Sequence, residues 1–143
     1  MNKKIMLVAL SAALICGTAE ARNDVLNLPL DKIIGTDKAN QALHNVPVYF
    51  AGQSHPAISS NWGEVTTSRK TNAFGKSDEE ACQWVLLSAL KVLQEAAQQR
   101  GYDAVVNIRS NYQNKEFTSA TEFQCGAGAI MAGVALKGDL VKF

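Results

Sequence analysis

Residues Ser77 to Ile108 read SDEEACQWVLLSALKVLQEAAQQRGYDAVVNI, and this stretch decides the fold. Ser77 followed by Glu80 has the form of a capping box, in which a serine side chain closes the first helical turn and a glutamate reaches back to it. Asp78 and Glu79 suit the positive end of the helix dipole. Gly101 supplies a stop, because glycine adopts the left-handed conformation that ends a helix. Between these signals, at about 100° per residue, Cys82, Val85, Leu86, Ala89, Leu90, Leu93, Ala96 and Ala97 fall on one face. Past the glycine, Ala104-Val105-Val106-Asn107-Ile108 turns to a β-type run. The pattern predicts a long helix to Arg100, one face of which packs on a sheet that its own continuation enters.

Working outward, the strand should extend to about Tyr112, with Gln113 to Glu116 turning it back. Ser119 to Cys125 then forms the return arm of a hairpin. Ala127 to Lys137 is dominated by Gly and Ala, which fits a strand passing close beneath a helix. Upstream, Val25 to Leu30 suits a short strand or arm, and Asp31 to Leu43 one or two short helices. Val46 to Phe50 suits an edge strand carrying Pro47. Glu64 to Arg69 suits a modest strand between two loops, 52–63 and 70–76. Helix, strand, strand, strand in this order indicates an α+β two-layer sandwich, one long helix on a mostly antiparallel sheet.

The first 21 residues have a separate character. Lys3 and Lys4 precede a run from Ile5 to Cys16 broken only by Ser11, and Ala19-Glu20-Ala21 has small residues where signal peptidase needs them. An apolar run of about a dozen residues is shorter than the roughly 20 of a spanning helix. Residues 1–21 therefore read as a cleavable signal peptide, cut after Ala21, with 22–143 a single domain in the periplasm and no membrane span. Ala13-Leu14-Ile15 before Cys16 makes a poor lipobox.

Removing Lys3, Lys4 and Glu20 reduces the 14 basic and 13 acidic residues of the whole chain to 12 of each. A neutral domain has no electrostatic reason to hold nucleic acid. Of three cysteines, Cys82 and Cys125 survive cleavage, and an oxidising compartment favours their pairing. Such a bridge closes a loop of about 44 residues, worth about 4 kcal/mol in chain entropy.

Catalytic and cofactor patterns are incomplete. Gly75-Lys76-Ser77 ends like a phosphate loop, but a full loop would place glycine where Lys70 stands, and the acids of the first helical turn would repel phosphate. His44 and His55, the only histidines, have no metal-ligand spacing around them. Ser54 beside His55 supplies no triad geometry. Without a Walker A motif, triad or metal cluster the chain leans away from enzymes, and no cofactor is implied.

What remains points to binding. Trp84 and Leu87 project to the polar side of the helix, where an early segment of the chain covers them or they stand as interface candidates toward an envelope protein or a second copy. The rival is a small-ligand-binding protein or enzyme built on loops 52–63 and 70–76 with His55, Trp62, Arg69 and Lys70, which requires a concave pocket lined by those residues.

The run Cys82-Gln83-Trp84, then Ala89-Leu90, Leu93 to Ala97 and Arg100-Gly101-Tyr102-Asp103-Ala104-Val105-Val106-Asn107-Ile108 resembles the helix–glycine–strand core of YbjQ-type small proteins and of the envelope stress-sensor lipoprotein RcsF. Gly133 to Lys137 is similar to the closing strand of YbjQ-type domains. With Lys70-Thr71-Asn72 and Lys76 to Cys82, the chain is also similar to small exported bacterial proteins mislabelled "excinuclease ATPase subunit", a name that the missing phosphate loop and the export signal contradict. The resemblance implies a YbjQ/RcsF-like α+β fold, allows a homo-oligomer, and adds envelope stress sensing as a further functional alternative.

Overall fold

A computed structural model describes residues 22–143, and the signal-peptide reading of residues 1–21 lies outside the described residues. The fold is mixed α+β, a six-stranded sheet carrying one long helix. The strands are β1 (Asp24–Pro29), β2 (Val48–Phe50), β3 (Ser60–Asn72), β4 (Ala104–Ser110), β5 (Glu122–Ala127) and β6 (Met131–Lys142). The helices are the short α1 (Asp37–Ala42) and the long α2 (Asp78–Arg100).

α2 begins and ends where its sequence signals stand. The Ser77 hydroxyl accepts the Glu80 N–H at 3.1 Å. Gly101 takes φ of 72° in the left-handed region and donates to Gln98, while Tyr102 N–H reaches Ala97. This closes orphan carbonyls of the last turn. The face carrying Cys82, Val85, Leu86, Ala89, Leu90 and Leu93 is buried in the main core with Val105, Ile108, Leu136 and Leu140 of the sheet.

β6 organises the sheet. One edge pairs antiparallel with β3 from Ser60↔Lys142 to Asn72↔Met131. The other edge is shared: β4 takes its C-terminal half and β5 takes Ala132 and Gly133. β1 extends the sheet from β5 antiparallel, and β2 extends it from β4 parallel. The hairpin expected between Val105 and Cys125 is thus absent. β4 and β5 lie end to end along β6; the end of β4 meets the connecting segment at the Ser110↔Phe117 bridge and meets β5 through the Ser110 hydroxyl, which accepts Gln124 N–H at 3.0 Å. A long free edge on β6 satisfies both strands better than their mutual pairing would, because Gln113 and Asn114, both at positive φ, steer the chain across the sheet.

Both expected loops shrink for the same reason. β3 begins at Ser60 and ends at Asn72, so the loops proper are 51–59 and 73–77. Val65, Thr67 and Thr71 face inward while Glu64, Thr66, Ser68 and Lys70 face outward. This is the period-two pattern of a half-buried strand, with β-branched Thr on both faces.

The Cys82 and Cys125 sulfurs sit at disulfide distance, with Cα atoms 5.9 Å apart. Cys82 is in the first turns of α2 and Cys125 on β5, so the bridge ties helix to sheet.

Candidate functional site

The two surface candidates on α2 separate. Leu87 is 1% exposed. It cannot serve as a docking residue, and its expected place on the open side of the helix is corrected. The segment from Leu30 to Val46 lies along that flank of α2 and covers it. Trp84 stays 42% exposed, with the Lys38 ammonium 4.2 Å from its ring centroid. Lys38, Gln41 and Ala42 of α1 border it.

The segment is held by Gln94, which is 1% exposed. Its Oε1 accepts the His44 N–H at 2.9 Å, and its Nε2 donates to the His44 and Val46 carbonyls at 2.9 and 2.8 Å. His44 then places its ring 3.0 Å from Glu95. That hydrogen bond is the chief reason the Glu95 carboxyl sits below its ordinary value, with Lys91 and Arg69 adding attraction.

The four loop candidates do not converge. His55 packs against Tyr49 and Phe143, with ring centroids 5.7 and 6.2 Å away. Trp62 lies under the Arg100 guanidinium at 4.3 Å, at the end of α2. Arg69 and Lys70 are neighbours on β3 and so project to opposite faces. Arg69 stands on the helix side, near Glu95. Lys70 borders a cleft on the other face with Arg22, Asn23 and Tyr112. A single pocket lined by all four is therefore excluded by the strand that carries two of them.

The helix-free face holds features that sequence reading missed. Asn107 takes φ of 52° within β4, where the register slips between Val106 and Arg109. This bulge aims Arg109 at Glu64 and Glu116. Lys137 joins both acids, at 3.9 Å from Glu64 and 3.2 Å from Glu116. Lys137, and after it Arg109, hold the Glu116 carboxyl below its ordinary value. Burial pulls the Arg109 guanidinium down, but its hydrogen bonds to Glu64 and Glu116 outweigh this and the net shift is upward.

Beside this network Tyr112 lies across Gly126 and Gly133 and donates from its hydroxyl to Asn23 at 3.0 Å. The open cleft next to it, about 400 Å³, is bordered by Lys70, Ile130 and Met131. It runs out to an apolar tip. There Ala73 N–H meets the Ile130 carbonyl, Asn72 pairs with Met131, and Phe74 follows. Phe74 is 77% exposed, Ile130 65% and Met131 46%.

Among the described residues no helix is long and apolar enough to cross a membrane, and no group of three metal-ligating side chains comes together. No family model, no curated protein and no solved structure matches the chain.

Proposed function

We propose that this chain is an exported, disulfide-stapled interaction domain that works in the periplasm without catalysing a reaction. The apolar tip carries the proposal. Exposed apolar residues are ordinary when scattered singly. Phe74, Ile130 and Met131, presented by two adjoining segments, form instead the kind of surface that a protein partner covers. Export is supported by the basic, apolar and small-residue order of Met1 to Ala21, and a Cys82–Cys125 pair at bonding distance is compatible with an oxidising compartment. The partner is an envelope protein. In the stress-sensing version of the proposal it would be a signalling protein.

The test is site-specific photo-crosslinking in the periplasm, with the reactive group at position 74 or 130 and a control at Gln99. An adduct with one discrete envelope protein at 74 or 130, weakened by Ile130→Ser or Phe74→Ser at the other position, is the expected result. Equal labelling at Gln99, or no adduct at the tip, refutes it. Native mass spectrometry of the same material checks export: the expected mass is Arg22–Phe143 less two hydrogens.

A second reading is favoured by the cleft beside the tip, where the Lys70 ammonium and the Tyr112 ring meet a floor of glycine. A small molecule retained there would appear in the same mass spectrum, and Lys70→Ala would release it.

A further inference from the structure

We infer that the outer edge of β3 recognises itself: a second copy of this chain lays its own β3 antiparallel alongside, about a two-fold axis through Thr67, and joins two six-stranded sheets into one. β3 runs from Ser60 to Asn72, and β6 satisfies its inner edge along that whole length. Among the described residues no main-chain group pairs with its outer edge. An unpaired edge of this length is a template for another strand, and natural sheets blunt such edges with proline, bulges or charge. Here the one bulge lies at Trp62, between Asn61 and Gly63. From Glu64 to Asn72 there is neither bulge nor proline. Thr66, Thr67 and Ser68 form a small, β-favouring centre.

The charges, which would ordinarily protect the edge, are placed to answer one another. Two antiparallel copies of one strand in a continuous sheet are related by an axis normal to the sheet, so residues opposite each other share a face. The axis therefore passes through a residue and not between two. Centred on Thr67, Glu64 stands opposite Lys70 of the second copy on the helix-free face, and the pair occurs twice. On the helix side Val65 stands opposite Arg69, whose aliphatic stem can cover it. Centred on Thr66, Lys70 would meet Trp62 and Glu64 would meet Ser68. Centred on Ser68, Glu64 would meet Asn72. Only the Thr67 register pairs opposite charges, a preference that cross-strand neighbours exert directly. Lys70 has no ion pair within its own chain among the described residues, while Glu64 already faces Arg109 and Lys137. A third cation would complete the surround of that carboxylate.

The proposal is independent of the apolar tip. Its test uses the mature, oxidised domain: sedimentation velocity across a concentration series, then single cysteines on the edge. Across the axis the two Thr67 Cα atoms would stand about 4.5–5.5 Å apart, within reach of a disulfide. The two Thr66 atoms would be offset along the strands to about 8 Å, beyond that reach. Cys82 and Cys125 are fully buried and do not compete. The expected result is a reversible dimer that Thr67→Cys makes covalent on mild oxidation while Thr66→Cys does not. Lys70→Glu, which sets acid against acid twice, should raise the dimer dissociation constant about tenfold. A monomer at every concentration overturns the proposal, as does a dimer that Thr66→Cys links equally well or that ignores Lys70→Glu. A monomer whose position 66 photo-crosslinks to a different protein also overturns it, in favour of a foreign strand on the same edge. Labelling at 74 and 130 reports separately on the tip, so either idea can fail alone.

Discussion

Replacing Gln94 by Leu keeps the side-chain volume and removes three hydrogen bonds, all to the backbone of residues 44–46. The Val46 carbonyl is buried and would lose its partner outright. An orphaned buried acceptor costs about 1–3 kcal/mol. The two His44 groups are only partly buried, and water can replace part of what they lose, so about 0.5 kcal/mol each is appropriate. The sum is about 3 kcal/mol of stability. With an unfolding entropy of about 2.1 cal/mol/K per residue, the described domain should melt roughly 12 °C lower. The assay is calorimetry or urea denaturation of the oxidised protein, with Gln98→Leu, an exposed neighbour on the same helix, as a control near zero. Gln94→Glu adds a second readout. Its carboxylate would face the two carbonyls that the amide now serves, so that variant should be more destabilised at neutral pH than at pH 4. A loss below about 1 kcal/mol for Gln94→Leu would show that segment 30–46 is held by apolar packing alone.

Three further outcomes are expected. Cys82→Ala with Cys125→Ala should cost about 4 kcal/mol, read as a fall in melting temperature of about 15 °C, and reductant should do nothing more to that variant. The carboxyls of Glu95 and Glu116 titrate below their ordinary value of 4.5 in the folded chain. Their contribution is therefore complete above that value and is lost as pH falls through the lower folded values; a variant with both changed to Gln should show a shallower acid-denaturation curve. At Asn107, φ of 52° suits glycine and disfavours a branched side chain. Asn107→Gly should be close to neutral, whereas Asn107→Val should lose about 2 kcal/mol in urea melts.

α2 was legible because both of its ends are written in local chemistry. Ser77 and Gly101 act within a turn of themselves, and the apolar face repeats often enough to fix its orientation. The Cys82–Cys125 pairing was legible because only two cysteines lie beyond the expected signal peptide, one of them on that face. Leu87 goes astray, and the anchoring role of Gln94 stays hidden, because a helix projection assumes a single buried face. α2 is buried on a second flank by residues far away in sequence. A trace existed: Gln94 lies between Leu90, Leu93 and Ala97, an odd setting for a solvated amide. The ligand residues failed for a different reason. Lys70 to Asn72 is polar enough to look like the start of a loop after a strand ending at Arg69, yet the strand continues through all three, and adjacency in a strand separates the side chains of Arg69 and Lys70. The ion network and the Asn107 bulge had no local signature, because Glu64, Arg109, Glu116 and Lys137 meet only after three strands and a turn are in place.

The partners of the strands were also unreadable, and the small residues from Gly126 to Gly138 explain why. Gly126 and Gly133 lie opposite one another on β5 and β6. A Cβ on Gly126 would come within 2.7 Å of the Tyr112 ring carbon Cε1, so that ring can lie on the sheet only over glycine. On the helix side a Cβ on Gly138 would stand 2.7 Å from Val105 and 3.2 Å from Ile108, so these two β4 side chains could not lean across β6 as they do, beneath Leu93 of α2. The least distinctive stretch of the sequence is thus where helix, aromatic cover and both halves of the sheet meet. Its residues act by what they leave out. Hydrophobic periodicity records the side chains that fill space, and it carries no mark for the positions that keep space open. Those positions let Tyr112 and the β4 side chains close over β6, and β6, with β4 and β5 on one edge and β3 on the other, leaves the far side of β3 as an edge.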